Sequence, residues 1–440
     1  MACWRSPTDR KERHVEKFIV NGGRPISGIM TPAGNKNEAL PCLAAALLAD
    51  GPVTLTSVPD VSDIRTMVEL LKAVGCTVED VTANKCTIEP SFEGPIPGDL
   101  AGRIRGSFLL AGPLLARRGE VHLPAPGGDR IGQRRVDTHL LAFRELGAEV
   151  EVRDREYVIR APSGLTGADV FLDETSVMGT ENAIMAAVRA AGTTHIANAA
   201  SEPHVQGLCR MLTEMGADIR GIGTNRLEIR GVDGLSGTNH QLQPDHIEVG
   251  SFVGLAAVTN GALTIKNAGV ANLAMIRLCY QRLGVEMEVD GDDVYVRADQ
   301  KLRVVDDAGG AIPKIDDAPW PGFPADLTSI LLVVATQAEG TVLIHEKMFE
   351  SRLFFVDRLL TMGARIILCD PHRAVVSGPT PLVGERISSP DIRAGMALLI
   401  AALAASGESV IQNIAQIDRG YERIDERLLE LGAAIRREPE

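Results

Sequence analysis

The sequence has no apolar run long enough to cross a bilayer. Its longest runs, such as residues 396–405, span about ten residues, whereas a transmembrane helix needs roughly 18. Residues 1–17 are charged and have no apolar centre, so they do not resemble a secretory signal. We therefore expect a protein that works in the cytoplasm, with no membrane partner.

Paired cysteines are also missing. The seven cysteines are Cys3, Cys42, Cys76, Cys86, Cys209, Cys279 and Cys369. Their number is odd and no two have the spacing of a CxxC pair, which predicts buried, reduced thiols rather than a disulfide framework. We expect no metal and no other cofactor.

Positive charge is in deficit. The chain has 45 Lys+Arg residues against 58 Asp+Glu residues, a net charge of −13. This balance argues against nucleic acid or an anionic membrane as a partner. If the substrate is an anion, the fold must gather positive charge locally.

What the sequence does have is an internal repeat. A helical pattern, a glycine and an alternating strand pattern are followed by an amphipathic helical pattern, a second glycine and another strand pattern, six times over. The first glycine of each unit is Gly51, Gly119, Gly192, Gly261, Gly340 or Gly407, and the second is Gly75, Gly147, Gly216, Gly284, Gly363 or Gly432. Each glycine is expected to supply the left-handed residue that ends a helix.

Six units of about 70 residues are too long for ordinary solenoid repeats. Each unit has two helices to cover, so stacked units would share a core of helices with their sheets outside. Three units per domain is the natural division, with the charged segments meeting where two domains face each other. A single extended array without a cleft is the alternative.

A glycine-rich loop, residues 126–132, carries Asp129 and Arg130 and leads into a second charged segment, residues 133–137. Its glycines leave the backbone loosely restrained. A mobile acid beside arginines suits a lid over an anionic substrate. A solvated hairpin tip is the alternative.

Five stretches carry a resemblance to a known family. They are residues 34–41 (GNKNEALP), 127–132 (GGDRIG), 176–182 (SVMGTEN), 321–326 (PGFPAD) and 418–424 (DRGYERI). Together they resemble the UDP-N-acetylglucosamine enolpyruvyl transferases, and the resemblance extends over residues 18–437.

The resemblance implies two inside-out α/β barrels of three units each, with helices inside and the active site in the cleft between them. One domain comprises residues 1–35 plus 244–440, and the other comprises residues 36–243 with the mobile loop. The chain would cross between domains near Asn35 and near Gln243.

The implied reaction transfers the enolpyruvyl group of phosphoenolpyruvate to the 3′-hydroxyl of UDP-N-acetylglucosamine and releases phosphate. It needs an acid, a base and several fixed cations. By the resemblance, Asp129 is the acid, Asp326 is the base, and Lys36 and Arg419 bind phosphoenolpyruvate. Asp326 also precedes a predicted helix over residues 327–335 and is a candidate to cap it, a role that is compatible with that of the base.

The resemblance also implies a set of substrate-binding residues. Arg134 joins the phosphate side, and Arg352 and Arg393 grip the carboxylate, since an arginine fork donates two parallel bonds. Asp391 is expected to pair with Lys36. The sugar-nucleotide contacts are Asn37, Arg105, Arg134, Arg135, Val136, Asp137, Thr138, Thr175, Ser176, Val177 and Met348.

Three positions depart from the family pattern. Position 129 is Asp where most relatives have Cys, which predicts insensitivity to fosfomycin, an epoxide that alkylates that cysteine. A carboxylic acid can replace the thiol as proton donor if closure keeps it protonated and Arg130 points outward. Arg135 replaces a usual Pro and Gln416 a common His, so substrate contacts there are open.

Two rival functions remain at this stage. One is an enolpyruvyl transferase that acts on shikimate 3-phosphate or on another nucleotide, and Asn37 and residues 418–424 disfavour shikimate. The other is a non-catalytic protein that binds a sugar nucleotide. The intact set of Lys36, Asp129, Asp326 and Arg419 disfavours loss of catalysis.

Overall fold

The computed structural model describes residues 16–79, 84–129, 131–154 and 156–440. Cys3 and Arg130, whose expected orientation was outward, lie outside these residues. Within them, no helix has both the length and the apolar character that a membrane crossing requires. Cys42, Cys76, Cys209 and Cys279 are buried as expected, but Cys369 is exposed on a strand.

The described residues form 23 strands. They are β1 (Glu16–Asn21), β2 (Gly28–Met30), β3 (Val53–Thr56), β4 (Thr77–Glu79), β5 (Lys85–Glu89), β6 (Glu120–Pro124), β7 (Glu149–Arg153), β8 (Glu156–Arg160), β9 (Asp169–Phe171), β10 (Thr193–Ala197), β11 (Asp218–Arg220), β12 (Arg226–Arg230), β13 (Thr238–Gln241), β14 (Leu263–Ile265), β15 (Glu288–Asp290), β16 (Asp293–Val296), β17 (Lys314–Asp316), β18 (Gly340–His345), β19 (Ile366–Asp370), β20 (Arg373–Gly378), β21 (Arg386–Ser388), β22 (Glu408–Gln412) and β23 (Ala434–Pro439).

The same residues form 13 α-helices. They are α1 (Lys36–Ala45), α2 (Ser62–Ala73), α3 (Gly98–Ala101), α4 (Ala111–Arg118), α5 (Asp137–Glu145), α6 (Val177–Ala187), α7 (Pro203–Glu214), α8 (His246–Val258), α9 (Ala274–Gln281), α10 (Thr328–Gln337), α11 (Val356–Thr361), α12 (Ile392–Ala404) and α13 (Ile424–Glu430).

The strands of the described residues form six small sheets. Their orders are β13-β3-β5-β4, β6-β8-β7 and β11-β12-β10-β9 for the middle of the chain, and β15-β16-β14-β2, β17-β18-β20-β19 and β21-β22-β1-β23 for its two ends. Most combine antiparallel neighbours with one parallel edge strand, as in the parallel pair β3–β13. The repeat of about 70 residues therefore corresponds to one sheet with its helices.

Two hydrophobic cores lie inside these sheets. One contains residues from Phe18 to Met30 and from Ile247 to Ile435, and the other runs from Ala39 to Leu242. Helices such as α8 and α12 are buried at 12 of their 13 residues, because small and apolar residues cover all of their faces. Helices inside and sheets outside confirm the inside-out α/β architecture, and two separate cores exclude the single extended array.

The second glycine of every unit has a positive φ, as predicted, and so does the first glycine in four units. Gly51 and Gly261 are the exceptions. In the latter unit the left-handed residue is Asn260, with φ 54°. A Cβ on Gly261 would lie 1.8 Å from the carbonyl oxygen of Ile26, so that glycine is needed for close packing of the backbone.

The chain passes between the two cores along two adjacent segments. The amide of Asn35 donates to the carbonyl of Gln243 at 2.8 Å, and that of Asp245 to Ala33 at 2.9 Å. Before this point β1 and β2 pair with β22, β23 and β14 from the far end of the chain. The exact domain boundaries given above stay a prediction.

Candidate functional site

A cavity of about 250 Å³ lies between the two cores. Eleven of the predicted site residues line it, and they come from both cores. They are Lys36, Asn37, Arg105, Asp129, Arg134, Val177, Asp326, Met348, Arg352, Arg393 and Arg419. The fold thus brings together side chains that are nearly 400 positions apart in sequence.

Lys36 lies in the first turn of α1, where Asn35 caps the helix by accepting from the amides of Asn37 and Glu38. Its ammonium pairs with Asp63 at 3.2 Å, and Asp63 also accepts from Arg419 at 2.8 Å. Burial opposes the charge on Asp63, but Lys36 and Arg419 outweigh burial and lower its pKa. Two cations from different cores therefore share one buried carboxylate.

The expected pairing of Asp391 with Lys36 is wrong. Asp391 instead caps α12, because its carboxylate accepts from the amides of Arg393 at 2.9 Å and Ala394 at 3.0 Å. The residue that pairs with Lys36 is Asp63, and Asp391 is not among the residues that line the cavity. Burial raises the pKa of Asp391.

Asp326 lies in a short 3₁₀ turn, Ala325–Leu327, ahead of α10. It makes no capping bond, so the predicted capping role is wrong. Its carboxylate instead accepts from Arg352 at 3.1 Å and from Arg393 at 3.0 Å. Burial disfavours its ionisation, but the charges of Arg393 and Arg352 lower its pKa well below the usual range. The two arginines predicted to grip a carboxylate are thus already converging on one.

The loop acid points into the cavity. The side chain of Asp129 is only 13% exposed and pairs with Arg419. Backbone bonds hold the loop on both sides, from Gly127 to Ala101 at 3.3 Å and from Ser351 to Ile131 at 3.1 Å. The solvated hairpin tip is therefore excluded for the described part of the loop, and Asp129 is presented to the same cavity as Asp326.

The other predicted nucleotide contacts, residues 135–138, 175 and 176, do not line the cavity but form a group beside it, which we call the shoulder. Arg105 links the two, since its guanidinium donates to the carbonyl of Arg135 at 2.6 Å. Val136 precedes α5, Arg135 pairs with Asp137, Thr138 donates to Asp173, Thr175 donates to Asn198, and Ser176 caps α6. These side chains keep each other in place beside the opening.

The cavity gathers the positive charge that the whole chain lacks. Burial, and then the charge of Arg134, lowers the pKa of Arg105 to about 10, and burial also lowers the pKa of Arg134. Cations are crowded here in a place poor in water. Such a site binds an anion strongly, because the anion relieves the repulsion among them.

Sequence reasoning missed several residues of the cavity. Besides several apolar residues, they are Asp63, Glu181, Glu202, His204, His246, Trp320 and Phe349. Asp63 lies in the first turn of α2. Burial raises the pKa of Glu181 and Glu202, and lowers the pKa of His204 to about 3 and of His246 to about 4. Burial therefore disfavours the charged forms of these four side chains.

Within the described residues, Glu38, Cys42 and His240 are grouped closely enough to suggest a metal site. His240 lies between Glu38 at 3.3 Å and Glu214 at 2.9 Å. Burial opposes its charge, but the two carboxylates outweigh burial and raise its pKa. An imidazole in hydrogen-bond contact with two carboxylates accounts for this group without a metal.

Comparisons with known proteins agree with this geometry. The family profile of EPSP synthase (3-phosphoshikimate 1-carboxyvinyltransferase) matches residues 20–428. UDP-N-acetylglucosamine 1-carboxyvinyltransferase of Bradyrhizobium diazoefficiens is 56% identical, over 96% of this chain and 98% of that protein. The enzyme of the same name from Treponema denticola is 55% identical, over 96% and 99%.

Solved structures share the fold. The enolpyruvyl transferase NikO from Streptomyces tendae superposes with a TM-score of 0.85 at 27% identity, over 96% of this chain and 99% of that one. An EPSP synthase from Acinetobacter baumannii has a TM-score of 0.73 at 19% identity, over 96% and 100%. The cleft of converging arginines, the two-core fold and these matches together show that the chain belongs to the UDP-N-acetylglucosamine 1-carboxyvinyltransferase family, within the larger family that the EPSP synthase profile describes.

Proposed function

We propose that this chain transfers the enolpyruvyl group of phosphoenolpyruvate to the 3′-hydroxyl of UDP-N-acetylglucosamine and releases phosphate, the first committed step of peptidoglycan precursor synthesis. The observation that carries the proposal is the cavity between the cores. Three arginines of one core, Arg419, Arg352 and Arg393, converge there on two carboxylates. These are Asp129 from the other core and Asp326. Addition to an enol phosphate, followed by elimination of phosphate to give an enol ether, needs this combination of acid, base and fixed positive charge.

The phosphoenolpyruvate carboxylate would bind Arg352 and Arg393. Both already hold the carboxylate of Asp326, so the substrate would compete with Asp326 for them. Losing these partners would raise the pKa of Asp326, since the arginines are what keep it low. Substrate binding would therefore turn a weakly basic carboxylate into one able to accept the proton of the sugar hydroxyl.

The substrate phosphate would bind the cations that now share Asp63 and Asp129. Lys36 and Arg419 are the ones in contact with these acids, and Arg134 lines the same cavity. Asp129 faces the same cavity and would deliver the proton to the alkene carbon.

The shoulder residues would receive the nucleotide. The shoulder consists of residues 135–138, 175 and 176, and Arg105 and Val177 connect it to the cavity. Asn37 and Met348 would contact the sugar. Asp391 would act through Arg393, whose amide it binds.

We also propose that residues 1–35 plus 244–440 and residues 36–243 move as two domains that close over the substrates in the cytoplasm. The two adjacent crossings at Asn35 and Gln243 are suited to a hinge, since little chain has to bend.

Phosphate release tests the proposal. It should require both phosphoenolpyruvate and UDP-N-acetylglucosamine, with shikimate 3-phosphate and unglycosylated uridine nucleotides offered as alternative acceptors. The acetylated sugar nucleotide should give the highest kcat/KM. Release with shikimate 3-phosphate and none with the sugar nucleotide would overturn the assignment, and binding without release of phosphate would favour a non-catalytic protein.

A further inference from the structure

Two buried carboxyl groups lie directly behind Arg352. Asp317 follows β17 and Glu346 follows β18, and these parallel strands are in register with Asp316 opposite His345. The residues that follow this pair, Asp317 and Glu346, therefore lie side by side at the ends of the two strands. Glu346 is 0% exposed and Asp317 is 1% exposed, and none of the reasoning from sequence assigned either of them a role.

Each of the two carboxyl groups has one oxygen that accepts a hydrogen bond and one that does not. Glu346 Oε1 accepts from the amides of Met348 at 3.2 Å and Phe349 at 3.1 Å. Asp317 Oδ1 accepts from the amide of Lys347. Glu346 Oε2 and Asp317 Oδ2 are buried and have no donor among the described residues. Two buried acceptors side by side repel each other unless one of them carries a proton.

A shared proton satisfies both oxygens. Burial, together with the hydrogen bond and charge of Asp317, raises the pKa of Glu346 to about 8, although Arg352 opposes the shift. At neutral pH the carboxyl group of Glu346 is therefore mostly protonated, and it is this uncharged group that faces the arginine.

Arg352 lies beside Glu346 but makes no hydrogen bond to it. Its Nε lies 3.4 Å from Glu346 Oε2, yet Nε makes no hydrogen bond. The guanidinium instead rests against the ring of Phe349, 4.9 Å from its centre, and donates through a terminal nitrogen to Asp326 at 3.1 Å. The hydrogen bond of the guanidinium thus goes to the acid in the cavity and not to Glu346.

We propose that Glu346 is a positioning residue that, by sharing a proton with Asp317, keeps Arg352 available to the carboxylate of the substrate. The inference rests on the proposed function, because it assumes that Arg352 grips phosphoenolpyruvate. Loss of the shared proton leaves Glu346 ionised beside Nε. The glutamate then competes with the substrate for the same guanidinium.

The groups around the pair come from every neighbouring element. Asp317 and Lys347 flank it on the strand ends, and Arg352 faces it from the following turn. The His372 imidazole is in hydrogen-bond contact with the backbone carbonyl of Glu346 at 2.7 Å. Asp326 reaches it only through Arg352. Arg352 is the only cation paired with Glu346 among the described residues, so ionisation of Glu346 acts mainly on that arginine.

The test compares Glu346→Gln, Asp317→Asn and the wild-type chain. Glutamine imitates the protonated acid, since its carbonyl still accepts from the two amides and its amide donates to Asp317. Asparagine at 317 donates to Glu346 and removes the neighbouring negative charge, so Glu346 loses its proton at lower pH. Glu339→Gln, at an exposed position ahead of β18, removes the same charge elsewhere and serves as the control.

The KM for phosphoenolpyruvate, measured between about pH 6 and about pH 9.5, should rise by about three- to tenfold above about pH 8 in the wild type and in Glu339→Gln. The rise should vanish in Glu346→Gln and begin at lower pH in Asp317→Asn. The kcat should change little, because the arginine holds the carboxylate equally in ground and transition states. An identical pH profile in all four proteins would overturn the proposal.

Thermal unfolding separates this result from the proposed function, since it needs no turnover. The contribution of the protonated Glu346 is full below its unfolded pKa and is lost as pH rises through about 8. The unfolding midpoint of Glu346→Gln relative to the wild type should therefore increase with pH over that window. Failure of phosphate release with this trend intact would reject only the proposed function, and absence of the trend would reject the shared proton.

Discussion

Asp326 shows how one side chain can be read two ways from sequence and only one way from structure. Its place before a helix is typical of an N-cap, yet its oxygens face two arginines. A carboxylate held in this way is expensive to bury unless both partners stay in place. Asp326 therefore acts as an ion-pair partner within the site and not as the cap of α10.

We expect Asp326→Asn to lose at least about 100-fold in kcat, the scale of one general base. Saturation by phosphoenolpyruvate should be unchanged or tighter, because the variant no longer competes for Arg352 and Arg393. Steady-state kinetics with both substrates measures the two effects separately. Near-normal turnover in a folded variant would leave Asp326 only a structural ion-pair partner.

At position 129 the chemistry of the side chain predicts drug resistance. Opening the epoxide of fosfomycin needs a thiolate, which is a far better nucleophile than a carboxylate. The enzyme should stay active after incubation with fosfomycin and the sugar nucleotide, and Asp129→Cys should become sensitive. Intact-mass measurement checks both proteins. A drug-sized adduct on residues 126–132 of the unmutated chain would contradict the prediction.

Among the elements, α12 shows how a helix start presents a functional group. Asp391 accepts from the amides of Arg393 and Ala394, so the first turn is held in place where Arg393 projects towards Asp326. A long helix buried on nearly every face is held rigidly along its length, and its N-terminus is the part that needs a cap.

Asp391→Ala should therefore lower the free energy of unfolding by about 1 kcal/mol and raise the KM for phosphoenolpyruvate, whereas Asp391→Asn should stay within a few tenths of a kcal/mol in stability. Asparagine keeps the oxygen that accepts from the two amides. Denaturant titration and kinetics on both variants provide the check. Equal losses of stability in the two variants would show that the charge, and not the cap, is what matters.

On the scale of the whole molecule, buried neutral histidines couple folding to acid. Burial, helped by the charge of Arg105, lowers the pKa of His139 to about 3. An imidazole with a depressed pKa charges first in the unfolded chain. Its effect on stability therefore appears as pH falls below the unfolded value of 6.5 and grows towards the folded one.

Relative to the wild type, His139→Gln should gain about 1.4 kcal/mol in unfolding free energy for each pH unit below about 6.5. A glutamine can keep the contact with Asn182, which now lies 2.8 Å from the ring nitrogen. Denaturant unfolding at several pH values measures the difference between the two proteins. A difference that does not change with pH would show that the pKa of His139 is the same in the folded and the unfolded chain.

Much of this architecture could be predicted from spacing and composition. The helix-ending glycines follow local rules, and six similar units imply six similar sheets. Lys36, Asp129 and Arg419 were predicted by resemblance, and the structure brings all three into one cavity. The pairing of Lys36 with Asp63 instead of Asp391 could not be predicted, because both aspartates begin helices and look alike in sequence.

The sequence by itself determined the elements and the chemistry available: where helices end, which faces are apolar, and which acids and bases exist. These depend on a residue and its near neighbours, so they are local. The tertiary structure alone decided which carboxylate each cation meets, since ion pairs such as Arg419 with Asp63 join residues 356 positions apart. It also decided that Asp317 and Glu346 are buried side by side, because β17 and β18 pair in register although they lie far apart in sequence.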